Sequence, residues 1–378
     1  MAARWFLFAV AVVPAFPQTY LVATAANRTH DSHLDWIGES IAETVREALA
    51  ARGIPVVSRD DRQEAVKRLS LRPSSQLSLA SVIKLAASVD AALVIHSEFE
   101  LLREEGAGNQ NSLRLTARVV ECRSITQPAE FFESGALEDL AVVQSNLAWQ
   151  ILRWASPREA VSREEFRATH PPVKVSALES YLRGLMASNE EVKHRYLTQA
   201  ARLDPSFTHP CFHLGRLQYD KENYREAASW LGKVNPRNPH YGSASFLLGL
   251  SLYELSNYEG ARLAFERISG SSRTHELSNN LGVIYAQLGR PDALDYFRKA
   301  LEADPKDADY HFNTGYSLWR RKEFEAATAH FRAVLDLAQQ DEDAVLLLGR
   351  CLKGTGPRTG DWRSEGLERL KYTSGALP

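Results

Sequence analysis

His209 and His213 stand four residues apart, a spacing that sets two side chains on one face of a helix and so suits a pair of metal ligands. Helical zinc sites of the His-Glu-x-x-His type need a carboxylate directly after the first histidine to activate water, and Pro210 occupies that position. No third ligand lies nearby, so neither a metal nor a cofactor is expected. Gly106-x-Gly108 lacks the third glycine of a dinucleotide fingerprint and lies between two strand-like runs, which predicts a hairpin turn. Gly349 and Gly354 have P-loop spacing but lack the Lys-Ser/Thr pair that reaches phosphates, and they follow a helical pattern where they should precede one. No Gly-x-Ser-x-Gly elbow occurs. Glu190 with Glu191, and Glu43 with Glu47, read as solvated helix faces rather than acid–base pairs. The cysteines Cys122, Cys211 and Cys351 are too widely spaced for a disulfide framework and read as small buried residues. No catalytic residue is assigned, and an enzyme is not expected.

Composition supports this reading. Among 378 residues, 45 Lys and Arg face 47 Asp and Glu, so no net field draws nucleic acid or an anionic membrane. With 44% hydrophobic and 24% charged residues the chain is folded rather than disordered, and its length allows two or three domains.

The second half of the chain is periodic. Glycines recur at Gly215, Gly249, Gly282, Gly315 and Gly349, at intervals of 34, 33, 33 and 34 residues, with Gly184 a shortened 31 residues upstream. The glycines from Gly215 to Gly315 are each followed by the same pattern: Tyr219, Tyr224, Ala227 and Leu231; Tyr253, Tyr258, Ala261 and Phe265; Tyr285, Ala293 and Phe297; Trp319, Phe324, Ala327 and Phe331; after Gly349 the second helix is delayed by residues 353–360. Such a unit is two short helices, the glycine and alanine allowing close crossing while aromatics fill the remaining gaps. Asp204-Pro205, Asn238-Pro239 and Asp304-Pro305 end one unit and open the next, because the residue before proline is driven out of the α region. The boundary at Gly270-Ser271-Ser272 lacks a proline, the unit from His275 is one residue short near Arg290-Pro291, and Trp362 to Tyr372 predicts an irregular closing helix.

This pattern resembles the tetratricopeptide repeat over residues 174–372. The resemblance implies an all-α solenoid, a right-handed superhelix of helix pairs of about five to six repeats, whose concave wall is built by the first helix of each pair. Projecting the family's inner positions gives His209, Phe212, Arg216, Tyr219 and Asp220 in the first full repeat. Phe246, Leu250 and Tyr253 follow in the second, and Asn279 and Gln287 in the third. Phe312, Tyr316, Trp319 and Arg320 come from the fourth, Arg350 and Lys353 from the fifth. Aromatic and arginine side chains are the types that anchor a protein or peptide segment. The two-carboxylate clamp for acidic chaperone tails needs Lys and Asn where this chain has Phe212 and Arg216, so that specificity is not implied. Arg216, Arg320, Arg350 and Lys353 favour an acidic or carboxylate-bearing partner.

Before the repeats the grammar changes. Tyr20 to Thr24 predicts a strand, His33 to Arg52 a helix with Leu34, Ile37, Ile41, Val45 and Leu49 on one face, and Ile54 to Ser58 a second strand. Ser58 and Ser78 open two further helices, Ala91 to Glu98 and Leu113 to Cys122 are strands, Phe131-Phe132 a fifth, and Leu137 to Trp154 a closing helix. Alternating strands and helices predict an α/β domain over 18–155, followed by a linker over 156–173 containing Pro171-Pro172. Ala25-Ala26-Asn27-Arg28-Thr29, Trp36 to Ile41 and Ala91 to Ile95 resemble the N-terminal domain of TolB-like envelope proteins. That resemblance implies a docking domain and no reaction.

Residues 1–15, with Arg4 ahead of an apolar run from Trp5 to Val13 and small residues at Val13 and Ala15, have the form of a signal peptide. The run is too short to span a bilayer, so no integral membrane span is expected. The whole reads as a non-enzymatic interaction scaffold or adaptor of the bacterial envelope, periplasmic or secreted, binding a partner segment in its concave groove. Two alternatives stand beside it: a cytoplasmic regulatory or signalling module, and an enzyme using a cleft of the α/β domain near Asn27 and Arg28.

Overall fold

The computed structural model describes residues 18–72, 74–103, 111–157, 161–169, 171–268, 275–358 and 366–372. The expected signal peptide (1–15), the Gly106–Gly108 turn and the Gly270–Ser272 boundary lie outside these residues. The chain divides after Phe207 into two compact units.

In the first unit, β1 (Tyr20–Val22) and the two-residue β2 (Ala26–Asn27) both pair in parallel with β3 (Leu93–Arg103). β3 then pairs antiparallel with β4 (Asn111–Glu121), and β4 with β5 (Thr126–Ala136), giving the order β1-β3-β4-β5. The expected strand over 54–58 is reduced to a single bridge between Tyr20 and Val56. Period-two alternation puts Leu21, Val94 and Val120 on one face, where they meet α2 (Arg59–Arg68) and α3 (Leu79–Ala87) in a shared core. Helices α1 (Asp35–Ala50) and α4 (Leu140–Ala155) pack on each other and on the strands. Gly38 is required where α1 crosses the β1–β2 connection, because a Cβ there would collide with the carbonyl of Ala25.

The stretch 156–173 is more than a linker. It contains α5 (Arg163–Thr169), which buries Phe166 and ties to α4 through Arg167 and Asn146. The first helix pair, α6 (Val175–Met186) and α7 (Glu190–Leu203), belongs to this first unit, since Tyr181 and Leu182 are buried and α6 packs on α1. The solvated reading of Glu43 is also corrected. Glu43 is 8% exposed and meets the buried guanidinium of Arg62 at 2.9 Å, while Glu47 lies 3.6 Å from Arg46.

The second unit stacks helix pairs. They are α8 (His209–Asp220) with α9 (Tyr224–Leu231), α10 (Tyr241–Glu254) with α11 (Tyr258–Glu266), α12 (His275–Gln287) with α13 (Ala293–Ala303), and α14 (Ala308–Arg320) with α15 (Phe324–Leu337). α16 (Glu342–Leu352) follows. The repeat glycines are contact points: a Cβ on Gly215, Gly249 or Gly282 would fall within 2.5–2.6 Å of Leu231, Phe265 or Phe297 on the partner helix. Gly349 has open space around it, in keeping with its place in α16, the last helix among the described residues. Each turn between paired helices passes through a left-handed residue, Glu222, Ser256, Gly289 and Lys322, with φ of 58–66°. The expected closing helix is not formed over its described part. Residues 366–372 run without helix, because their side chains are drawn one by one to partners on other elements.

Candidate functional site

Counted from each repeat glycine, the third residue before it is Phe212, Phe246, Asn279 and Phe312, and the second before it is His213, Leu247, Asn280 and Asn313. Asparagine is a poor helix former whose amide seeks backbone partners. Three such amides, Asn279, Asn280 and Asn313, are 0% exposed in the middle of helices, so each must find bonds inside the protein.

The partner is the main chain of Gly366–Tyr372, which lies across the first helices of the repeats. Asn313 donates to the Arg369 carbonyl and accepts from the Arg369 amide, both at 2.8 Å. Asn280 does the same for Lys371, donating at 2.9 Å and accepting at 2.8 Å. Asn279 donates to the Arg369 carbonyl at 2.8 Å and accepts from Asn313 at 2.7 Å. A side-chain amide that both donates to and accepts from one residue reproduces the pairing of two extended strands.

The side chains of the segment alternate as an extended chain requires. Glu368 and Leu370 are buried, whereas Arg369 and Lys371 are half-buried. Leu370 enters the core around Phe246, Leu250, Leu281 and Phe297. Glu368 accepts from Arg320 at 3.0 Å and Gln287 at 3.2 Å; burial outweighs the arginine and raises its pKa. Arg369 forms a two-pronged pair with Asp341 at 2.6 and 2.9 Å, and its guanidinium lies 3.6 Å over the ring of Phe312. The Asp341 pKa is lowered: burial opposes this, and the bonds from Arg369 and the Ala344 amide prevail. Lys371 reaches Asp307 at 2.8 Å and Asp309 at 2.6 Å. Asp307 and Asp341 also cap α14 and α16, so the helix ends hold these carboxylates in place.

Of the residues projected to the inner face, Phe212, Phe246, Phe312, Tyr316 and Trp319 are buried, and so form its floor rather than free anchors. Burial raises the Tyr316 pKa to about 12, and the Trp319 indole donates to the Thr355 carbonyl at 2.8 Å. Tyr219 and Tyr253 are half-buried, each beside the tyrosine that opens the next helix. Arg320 and Gln287 meet the segment, as does Asn279. Arg216 and Lys353 are exposed, His209 is half-buried at the start of α8, and Arg350 lies 5.9 Å from the Trp319 ring. His213 packs edge-on against Phe212 and His240. No cluster of three or more metal-ligating side chains occurs among the described residues. Arg320 meets a carboxylate of the segment, Glu368, at 3.0 Å, while Asp307, Asp309 and Asp341 face its two basic residues. The projection missed Asn280, Asn313 and these three aspartates; asparagines side by side in an otherwise apolar helix were the available signal.

In the first unit, Asn27 and Arg28 are committed to structure. Asn27 donates to the Asp31 carbonyl and Asp35 carboxylate, both at 2.8 Å, and accepts from Thr29, while Arg28 pairs with Glu98 at 3.0 Å.

Residues 212–273 and 285–342 match the family described as the tetratricopeptide repeat. The stacked pairs are tetratricopeptide repeats. Among curated proteins, the human cell division cycle protein 16 homolog is 23% identical over 169 residues, 44% of this chain and 23% of that protein. Its mouse counterpart is 36% identical over 78 residues, 20% of this chain and 13% of that protein. The chain thus spans less than a quarter of the length of the curated relatives it matches. Among solved structures, YrrB, described as a TPR protein with an unusual peptide-binding site, is 21% identical with a TM-score of 0.37, covering 42% of this chain and 82% of its own. MamA from Desulfovibrio magneticus RS-1 is 22% identical with a TM-score of 0.39, covering 45% and 99%. No described helix is long and apolar enough to cross a membrane.

Proposed function

We propose that the protein is a non-enzymatic interaction scaffold whose repeat face holds an extended polypeptide segment of a partner. The observation that carries this reading is the set of side-chain amide hydrogen bonds to the main chain of Gly366–Tyr372, paired from Asn280 and Asn313 and single from Asn279. Main-chain bonds of this kind are indifferent to sequence and recur wherever a strand is added to a waiting edge. Burying three asparagines is costly unless a polypeptide satisfies them, at about 1–3 kcal/mol for each unmade bond. On this reading the sheet-bearing N-terminal region is a docking module similar to the TolB-like domain, and the protein acts in the bacterial envelope. The apolar run ahead of Pro14 and the strand and helix order of residues 18–155 support that placement.

The test is a photo-crosslinking amino acid placed at Arg320, on the face, and at Arg332, exposed on α15. Adducts with one partner polypeptide from position 320 and none from 332 are expected; equal labelling from both contradicts the groove. Recovery of a mature chain that begins after Ala15 in the envelope fraction is the expected result for location, and an intact Met1 in the cytosol would favour the regulatory alternative.

A further inference from the structure

Resting on that peptide-holding reading, we infer that the repeat face selects partner segments in which a basic, an aliphatic and a second basic residue follow in order, and that Gly366–Tyr372 is the built-in competitor such a segment displaces. The amides of Asn279, Asn280 and Asn313 read only backbone, so selectivity falls to the side-chain sites. In an extended chain alternate residues share a side and stand about 7 Å apart. Arg369 and Lys371 occupy that spacing, the first against Asp341 and the Phe312 ring, the second against Asp307 and Asp309. Leu370, between them, points the other way into the core of α10 and α12. Four carboxylates, those of Asp307, Asp309, Asp341 and Asp343, meet two cations, so an acidic residue at either flanking position faces like charge across the interface. The central site, walled by Phe246, Leu250 and Leu281, disfavours a polar side chain, which would give up its water there.

The competitor role follows from covalent connection. A tethered segment acts at an effective concentration on the order of millimolar. An outside segment of the same sequence therefore competes at a disadvantage unless the tethered one is weakened.

The experiment titrates a fluorescent peptide, Gly-Leu-Glu-Arg-Leu-Lys-Tyr-Thr, into the full chain and into two full-chain variants that weaken the tethered segment, L370D and the double variant R369E/K371E. The second keeps Leu370, so it guards against a loss of folding, and circular dichroism reports the helix content of both. Both variants are expected to bind the peptide at least about tenfold more tightly than the wild type. A peptide with glutamate in place of Arg and Lys is expected to lose at least about tenfold. Adding D309K and D341K to L370D is expected to abolish that preference. Wild type binding as tightly as the folded variants would overturn the competitor role. Equal binding of the basic and acidic peptides would overturn the selectivity while leaving the peptide-holding reading intact. Failure of either folded variant to bind any peptide would overturn both. A wild-type dimer that dissociates on R369E/K371E would give the site to a second copy's segment and overturn the proposal.

Discussion

The first two repeats of the second unit, α8 to α11, and the next two, α12 to α15, share one spacing but finish the same face differently. In the first pair, Phe212 stacks on His240 at 4.4 Å and Phe246 packs edge-on against Phe265, so the face closes on itself with rings. In the second pair Phe312 is kept, but the other three corresponding positions carry Asn279, Asn280 and Asn313, each of which bonds another stretch of backbone. The repeat glycine meets the second helix in all four repeats, so one or two positions per repeat change what the face holds without changing how the repeat folds.

The sharpest way to break this contrast is to exchange its two kinds of residue. Asn313→Ala removes both bonds to Arg369 and strands the Asn279 oxygen, and is expected to cost about 2–4 kcal/mol in urea unfolding. His213→Ala, at the matching position of the first repeat, is expected to cost about 1 kcal/mol. Equal losses would erase the distinction.

The glycines sharpen the same contrast between packed and terminal units. Gly282→Ala drives a methyl into the Phe297 ring and is expected to cost about 1–3 kcal/mol. Gly349→Ala meets open space within α16 and is expected to gain about 0.5–1 kcal/mol, since alanine is the better helix former. Thermal melting of the two variants checks both signs.

One of the two repeats that hold the segment, α14 with α15, also carries a histidine pair, His311 and His330, whose Nδ1 atoms lie 3.2 Å apart. Burial, then His311 and Arg298, lower the His330 pKa to about 4. The unfolded chain, near 6.5, binds the proton first, so stability is full above pH 6.5 and falls as pH drops toward 4. The loss is on the order of 1 kcal/mol, since part of the imidazole remains wet. His330→Gln is expected to remove that slope in pH-dependent unfolding. The smallest effect belongs to the turns. Lys322→Gly relieves a side chain held at φ 63° and is expected to stabilise by roughly 0.5 kcal/mol, while Gly289, already suited to its φ of 66°, has nothing to gain.

The helix pairs were legible because their signal is local and repeated: Gly215, Gly249 and Gly282 each meet the bulky residue the spacing predicts. Asn279 and Gln287 fell on projected inner positions and do meet the segment. Leu367 and Leu370, three apart, imitate a helix face, yet one packs with the core of α14 to α16 and the other with that of α10 to α12. The pairing of Arg369 with Asp341, or of Glu43 with Arg62, joins residues far apart in the chain, and no periodicity records such a match.

Amide hydrogen exchange resolved to single residues over Gly366–Tyr372 tests the central claim most directly. Slow exchange is predicted for the Arg369 and Lys371 amides in the wild type, with Asn313→Ala freeing Arg369 and Asn280→Ala freeing Lys371. Exchange of both at the rate of an unstructured peptide in the wild type would contradict the account.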